Sequence, residues 1–263
     1  MWSDGSKLKP NMRRSFFQGR LFFNLENWRP APWLITWGLK FTGLYKRARR
    51  NADEIVVRRT SLAFSNLPPA FDDFTILHLS DLHADISEGA MRRLAGIVGA
   101  LEYDICVLTG DYRGKTYGPF ENALKSLSGL RPLLRGPLYG VLGNHDSLRM
   151  TPAMEAMGIR MLFNEHEPIA RGSSRIYLAG VDDAHFYRAD DIEKAASGIP
   201  KKAFSILLSH TPEVYEQAAA AEFDLMLSGH TMVASFACPV ESRSSWRPYC
   251  LRDWAPACGV MQG

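Results

Sequence analysis

Phe74-Thr-Ile-Leu-His-Leu79, followed at once by Ser80-Asp81-Leu82-His83, is the stretch on which the fold turns. The first six residues read as a buried strand. The next four carry side chains suited to turns or to ligands rather than to a core. The same text recurs downstream. Asp104–Leu108 runs into Thr109-Gly110-Asp111, and Pro137–Leu142 into Gly143-Asn144-His145-Asp146. Phe204–Leu208 ends at Ser209-His210, and Asp224–Leu227 at Ser228-Gly229-His230. Helical periods fall between these runs, over Ile86–Leu101, Phe120–Leu130, Met150–Met157 and Glu213–Ala221, while Arg160–Phe163 and Arg175–Ala179 could pair as strands. Strand–helix alternation of this kind predicts an α/β fold with sheets covered by helices. In open α/β sheets ligands collect outside the carboxyl ends of strands. Taken alone, Asp81 reads as a helix N-cap and Asn144 as a turn residue. Five successive strand ends that each deliver Asp, Asn or His read as one site.

Composition excludes several classes. The 263 residues are 46% hydrophobic and 22% charged, which fits a globular chain and not a disordered, collagen-like or disulfide-scaffold one. The net charge of +3 hides an asymmetry: residues 1–60 hold 13 Lys/Arg against 4 Asp/Glu, leaving 18 against 24 in the rest. A basic head on a mildly acidic body predicts an anionic surface as partner. Cys238, Cys250 and Cys258 crowd into the last 32 residues, at spacings that match no standard zinc pattern, and Cys106 stands alone in the body. A reducing compartment is the expectation.

In order, Asp81-Leu-His83, Gly110-Asp111, Gly143-Asn-His-Asp146, His210 and Gly229-His230-Thr231 resemble the signature of the calcineurin-like metallophosphoesterases over roughly residues 70–231. The finer texture (LSDLH, LTGD, GVLGNHD, LSHTPE, LSGHT) is similar to a bacterial, membrane-associated phosphodiesterase subgroup that includes UDP-2,3-diacylglucosamine pyrophosphatases. The resemblance implies a two-sheet β sandwich flanked by α-helices and two divalent metal ions, with Mn, Fe or Zn suiting the mixed donors. It implies that Asp111 bridges the ions, that Asp81 and His83 complete one shell, and that Asn144, His210 and His230 hold the second ion. His145 would face the substrate as proton donor, oriented by Asp146. The implied reaction is metal-dependent hydrolysis of a phosphodiester or pyrophosphate bond. The alternatives are a soluble nucleotide phosphodiesterase or phosphatase, and an inactive metal- or membrane-binding remnant. No nucleic-acid partner is expected. His78, His166 and His185 fall outside the motif and read as structural, Asp85 and Glu88 as a solvated helix start, and Asp182-Asp183 as a turn or cap.

The last motif is incomplete. Where the family places a second His two residues after the first, followed by Gly-Gly-Gln, this chain has Met232-Val-Ala-Ser235. A thioether is a poor ligand for a borderline divalent ion. Reading one base earlier turns the Val codon into a forced Gly and allows Met232–Ser235 to encode His-Gly-Gly-Gln. The following eight residues can then encode Leu-Cys-Leu-Pro-Gly-Gly-Ile-Pro. The expectation is therefore a basic amphipathic segment over 1–54, a metallophosphoesterase domain over 55–231, and an out-of-frame tail over 232–263. The C-terminal strands should be missing and activity impaired.

The opening residues lack the apolar core of a secretory signal peptide, and Ala31–Tyr45, interrupted by Lys40, is too short to span a bilayer. Leu34, Trp37, Phe41 and Leu44 share a helical face, with Arg13, Arg14 and Arg20 before them and Lys46-Arg47-Ala-Arg49-Arg50 after. Phe16, Phe17, Phe22 and Phe23 are interleaved. That pattern suits an interfacial segment on an anionic membrane through residues 13–50, and predicts a cytoplasmic protein peripheral on the inner membrane. A helix packed on the body is the competing reading.

Overall fold

The computed structural model describes residues 31–230, 236–239 and 257–262, in two compact units, Met1–Arg50 and Asn51–Gly263. Arg13, Arg14, Arg20 and the four early phenylalanines lie outside the described residues, as does the Thr231–Ser235 stretch.

In the first unit, helix α1 (Ala31–Phe41) leaves Trp33, Leu34, Ile35, Trp37 and Phe41 exposed. The helical period expected to run through Tyr45 breaks earlier. Gly43 takes φ +71°, a left-handed C-terminal cap, so Leu44 falls between α1 and helix α2 (Tyr45–Asp53). The Lys40 ammonium lies 5.8 Å from the Trp37 ring centre and 5.4 Å from that of Tyr45. No helix among the described residues is long and apolar enough to cross a membrane.

The second unit is two packed sheets flanked by helices, the α/β sandwich expected. Its strands are β1 (Val56–Ser61), β2 (Thr75–Leu79), β3 (Ile105–Thr109), β4 (Leu138–Val141), β5 (Ile159–Met161), β6 (Glu165–Arg171), β7 (Ser174–Gly180), β8 (Ser205–Ser209), β9 (Leu225–Ser228), β10 (Phe236–Pro239) and β11 (Ala257–Gln262). One sheet has the order β1-β11-β2-β3-β4-β5 and the other β10-β9-β8-β7-β6. The runs β2-β3-β4-β5 and β7-β8-β9 are parallel, so all their carboxyl ends open on one edge of each sheet.

Alternation along each strand divides the core. Ile76, Ile105, Val107, Ile206, Leu208, Leu225 and Leu227 meet one another between the sheets, while Leu77, Leu79, Cys106 and Leu108 point the other way. There they meet Leu94 and Val98 of helix α3 (Glu88–Val98), Leu127 of helix α4 (Glu121–Leu130) and Met154 of helix α5 (Thr151–Ala156). Behind the second sheet Leu207 and Met226 pack with Ile192 of helix α6 (Ile192–Ala196) and Ala218 of helix α7 (Tyr215–Ala220). Strands buried on both faces are what continuous apolar runs such as Phe74–Leu79 specify.

The expectation that the C-terminal strands are missing is overturned. Strand β10 pairs antiparallel with β9, and β11 lies between β1 and β2, parallel to the first and antiparallel to the second. Open strand edges offer unpaired N–H and C=O groups, and an extended backbone can satisfy them with little demand on its side chains.

His78 shares a face of β2 with Ile76 and is buried, its Nε2 2.7 Å from Thr109 Oγ1. Burial pulls its pKa down to about 4 from an ordinary 6.5. Between those values the unfolded chain binds a proton that the fold refuses, so stability must fall as pH drops from 6.5 toward 4, by about 2–3 kcal/mol near pH 4.5. In urea unfolding of metal-free protein at pH 7 and 4.5, His78→Gln should lose less stability than wild type. Equal losses would contradict this role.

Candidate metal centre

The site is assembled by loops stitched together through the main chain. Asp81 N–H donates to Gly110 O (3.1 Å), His83 N–H to Asp111 O (3.0 Å), Ala84 N–H to Tyr112 O (2.8 Å), and Gly229 N–H to His210 O (2.9 Å). The loops after β2, β3, β8 and β9 therefore converge. Four site residues hold left-handed backbone: Asp81 (φ 53°), His83 (38°), Asp111 (55°) and His230 (57°). Non-glycine residues avoid this region, and such strain collects where surrounding structure over-determines a functional geometry. The approach is close enough to require glycine: at Gly110 (φ +90°) a Cβ would lie 2.6 Å from Gly143 N, and at Gly229 it would overlap Ser80 Oγ and Asp81 Oδ2.

Two groups of candidate ligands result, and they share one carboxylate. In each of the sets Asp81–His83–Asp111 and Asp111–His210–His230, one donor atom per residue lies within 4.8 Å of the others. Asn144 joins the second set, its Oδ1 2.9 Å from His210 Nε2. The remaining atoms of these side chains are occupied by the protein. His83 Nδ1 lies 3.0 Å from Arg113 O and His210 Nδ1 2.7 Å from Thr109 O, which leaves Nε2 of each for a ligand. Asp81 Oδ2 accepts from Ser80 Oγ (2.6 Å) and His230 N (3.1 Å). Asp111 Oδ1 accepts from His145 N (2.9 Å), and Oδ2 faces His210 Nε2 at 3.4 Å. Carbonyl-oriented imidazoles beside half-committed carboxylates are the outer hydrogen bonding that metal ligands carry, so the residues fit a pair of divalent ions.

Electrostatics agree. Burial disfavours charge on both Asp111 and His210, yet the hydrogen bond and charge between them hold Asp111 low and His210 high. A buried carboxylate that keeps its charge demands a cation, whether a proton on imidazole or a metal.

His145 Nε2 lies 3.8 Å from Asp111 Oδ2, and its Nδ1 3.1 Å from Thr116 Oγ1. The expectation that Asp146 orients this ring needs correcting. Asp146 is wholly buried, and its carboxylate accepts from the N–H groups of Asp111 (2.7 Å), Gly143 (2.9 Å) and Tyr112 (2.9 Å). Burial and the charge of Asp111 push its pKa up to about 7, while the Gly143 and Asp111 N–H groups oppose the rise. Asp146 thus braces the loops under the site, and the hydrogen bond at Nδ1 of His145 comes from Thr116.

Three further residues reach the site without standing out in sequence. Arg113 donates to His145 O, to Thr116 O and to Gly118 O (3.0 Å), tying the Thr116 loop to the His145 turn. Asp85, read as a solvated helix start, accepts from Gly114 N at 2.7 Å. His185, read as structural, has its ring centre 4.7 Å from that of His230 and its Nδ1 2.9 Å from Glu213 Oε1. The usable signal was position: residues 182–187 follow the end of β7, the same edge that carries the other motifs. His166, by contrast, packs away on Ala195 O at 2.9 Å.

Residues 74–234 match the calcineurin-like phosphoesterase family. The chain is 28% identical over 201 residues to an uncharacterized Bacillus subtilis metallophosphoesterase, YkoQ, covering 73% of each chain. It is 26% identical to the Escherichia coli phosphodiesterase YaeI, covering 68% of this chain and 66% of that one. Among solved structures, Haemophilus influenzae NAD nucleotidase aligns with a TM-score of 0.45 at 16% identity, over 61% of this chain and 38% of that one.

Proposed function

This chain belongs to the calcineurin-like phosphoesterase family and is a phosphoric ester hydrolase, and we propose that it cleaves phosphodiester or pyrophosphate bonds in a membrane-borne substrate, of which a UDP-diacylglucosamine-type lipid precursor is the leading example. The observation that carries the reaction is Asp111, common to two ligand groups and 3.8 Å from the His145 imidazole. Two divalent ions held there, Mn, Fe or Zn by donor type, supply Lewis-acid stabilisation of a phosphoryl group and lower the pKa of a water. The protein's own part is positioning. Asp111 keeps Oδ2 for the centre while Oδ1 is held by His145 N–H, and the His145 ring, hydrogen-bonded at Nδ1, offers Nε2 as proton donor to a leaving oxygen. The name phosphodiesterase on the E. coli relative supports the diester reading. Bis(p-nitrophenyl) phosphate should be hydrolysed with Mn²⁺, silenced by chelator and restored by added metal. Absence of hydrolysis at every Mn²⁺ concentration would favour the inactive remnant.

Support for the membrane comes from α1, whose Trp33, Leu34, Ile35, Trp37 and Phe41 are exposed, and from the basic run Lys46–Arg50 that follows. Sedimentation with phosphatidylglycerol vesicles should fall steeply in a Trp33→Ala/Trp37→Ala variant and in high salt. Unchanged sedimentation would contradict the surface role.

Residues 232–263 are best explained as translated out of frame, because Met232 stands where the signature needs the remaining imidazole of the Asp81–His83–Asp111 group. That group should then bind its ion more weakly than the Asn144–His210–His230 side. Codons 231–236 that cannot yield His-Gly-Gly-Gln in the neighbouring frame would sink this reading.

A further inference from the structure

The loop after β7 is built on one carboxylate. Asp183 is completely buried, its Oδ2 accepts from the N–H groups of Phe186 (2.7 Å) and Tyr187 (2.6 Å), and its Oδ1 from His185 N–H (3.4 Å). Ala189 N–H returns to Asp183 O at 2.9 Å. Asn164 fastens the far end, donating to Ala189 O and accepting from Asp182 N and Asp191 N. Three consecutive side chains therefore leave a fixed backbone.

Two of these side chains, His185 and Tyr187, reach opposite ends of the centre, and the Phe186 ring packs on that of Tyr187. The His185 ring lies against His230, and the Tyr187 hydroxyl donates to Asp146 O at 3.3 Å, in the turn that carries His145. The rings of Phe186 and Tyr187 meet edge to face, 5.0 Å apart at 86°, and remain 37% and 50% exposed. Rigid backbone with open aromatic faces offers contact area at little entropic cost.

We propose that His185, Phe186 and Tyr187 form the specificity wall of the enzyme and select phosphodiesters whose substituent carries a planar ring, as a nucleoside does. Phe186 and Tyr187 supply the faces. His185, with Nδ1 engaged by Glu213, offers its other ring nitrogen at the phosphoryl end. An acyl chain would need an apolar trough, whereas these rings are bracketed in sequence by Asp182, Arg188, Asp190 and Asp191. The inference rests on the phosphodiesterase reading and is independent of the membrane.

The test uses the full chain loaded with Mn²⁺ and two esters that release the same p-nitrophenolate, thymidine 5′-(p-nitrophenyl phosphate) and methyl p-nitrophenyl phosphate. Wild type should prefer the thymidine ester. The ratio of kcat/KM values should fall about tenfold in Phe186→Ala, in line with the loss of one base–aromatic stack, and recover in Phe186→Trp. Tyr187→Leu should lower the same ratio. Ratios equal in wild type and all variants overturn the proposal. If neither ester is cleaved, the phosphodiesterase reading fails, and calorimetry decides the wall separately. A tenfold weaker binding of thymidine monophosphate, but not methyl phosphate, in Phe186→Ala supports it, and equal affinities overturn it.

Discussion

Asp111→Asn should bring metal-dependent hydrolysis to background and weaken Mn²⁺ binding well beyond the ~10–100-fold that loss of an outer partner costs. The substituted amide can still accept from His145 N–H through its oxygen. It places an NH₂ where Oδ2 now stands, 3.4 Å from His210 Nε2 and 3.8 Å from His145 Nε2, and an amide nitrogen cannot bridge two cations. The fold should survive, because the loops are held by main-chain bonds such as Asp81 N to Gly110 O and His83 N to Asp111 O. Circular dichroism near wild type, with calorimetric Mn²⁺ binding weakened by well over ~100-fold, is the expected pair of results. Retained two-ion binding would show that Asp111 is not the carboxylate the two ligand groups depend on.

His145→Ala should behave differently: metal binding kept, kcat lowered by ~10²–10⁴ for a diester with an alkyl leaving group. His145 belongs to neither ligand group: its Nε2 approaches Asp111 Oδ2 at 3.8 Å, and its ring meets that of His83 edge to face at 5.5 Å. A p-nitrophenolate leaving group needs little protonation, so bis(p-nitrophenyl) phosphate should suffer less than the alkyl diester. Equal losses on both substrates would deny His145 the proton-donor role and leave it as an electrostatic contact.

Much of this was legible from residues 74–83 onward, because parallel strands impose one rule on all their ends. Apolar text such as Ile105–Thr109 becomes a strand buried on both faces, and the polar residues just past it must emerge on the same edge as Asp81 and His83. Local sequence therefore places Asp111, Asn144, His210 and His230 near one another. What it does not carry is which side chain holds which. Asp146 sits beside His145 in the chain, yet its oxygens serve Asp111, Tyr112 and Gly143 N–H, while the partner at His145 Nδ1, Thr116, comes from the loop after β3. His185 escaped for the same reason: its importance lies in contacts with His230 and Glu213, 45 and 28 positions away. The strands β10 and β11 were missed because their pairing answers open edges at β9, β1 and β2, a property of partners rather than of the segments themselves.

The central claim is that Asp111, shared by both ligand groups, would help to hold two divalent ions, and electron paramagnetic resonance of Mn²⁺-titrated protein tests it most directly. Two ions per chain are expected at saturation, the second weaker, with the spectrum of an exchange-coupled pair that Asp111→Asn abolishes. Ions that stay magnetically isolated at saturation, or no bound Mn²⁺ at all, would contradict it.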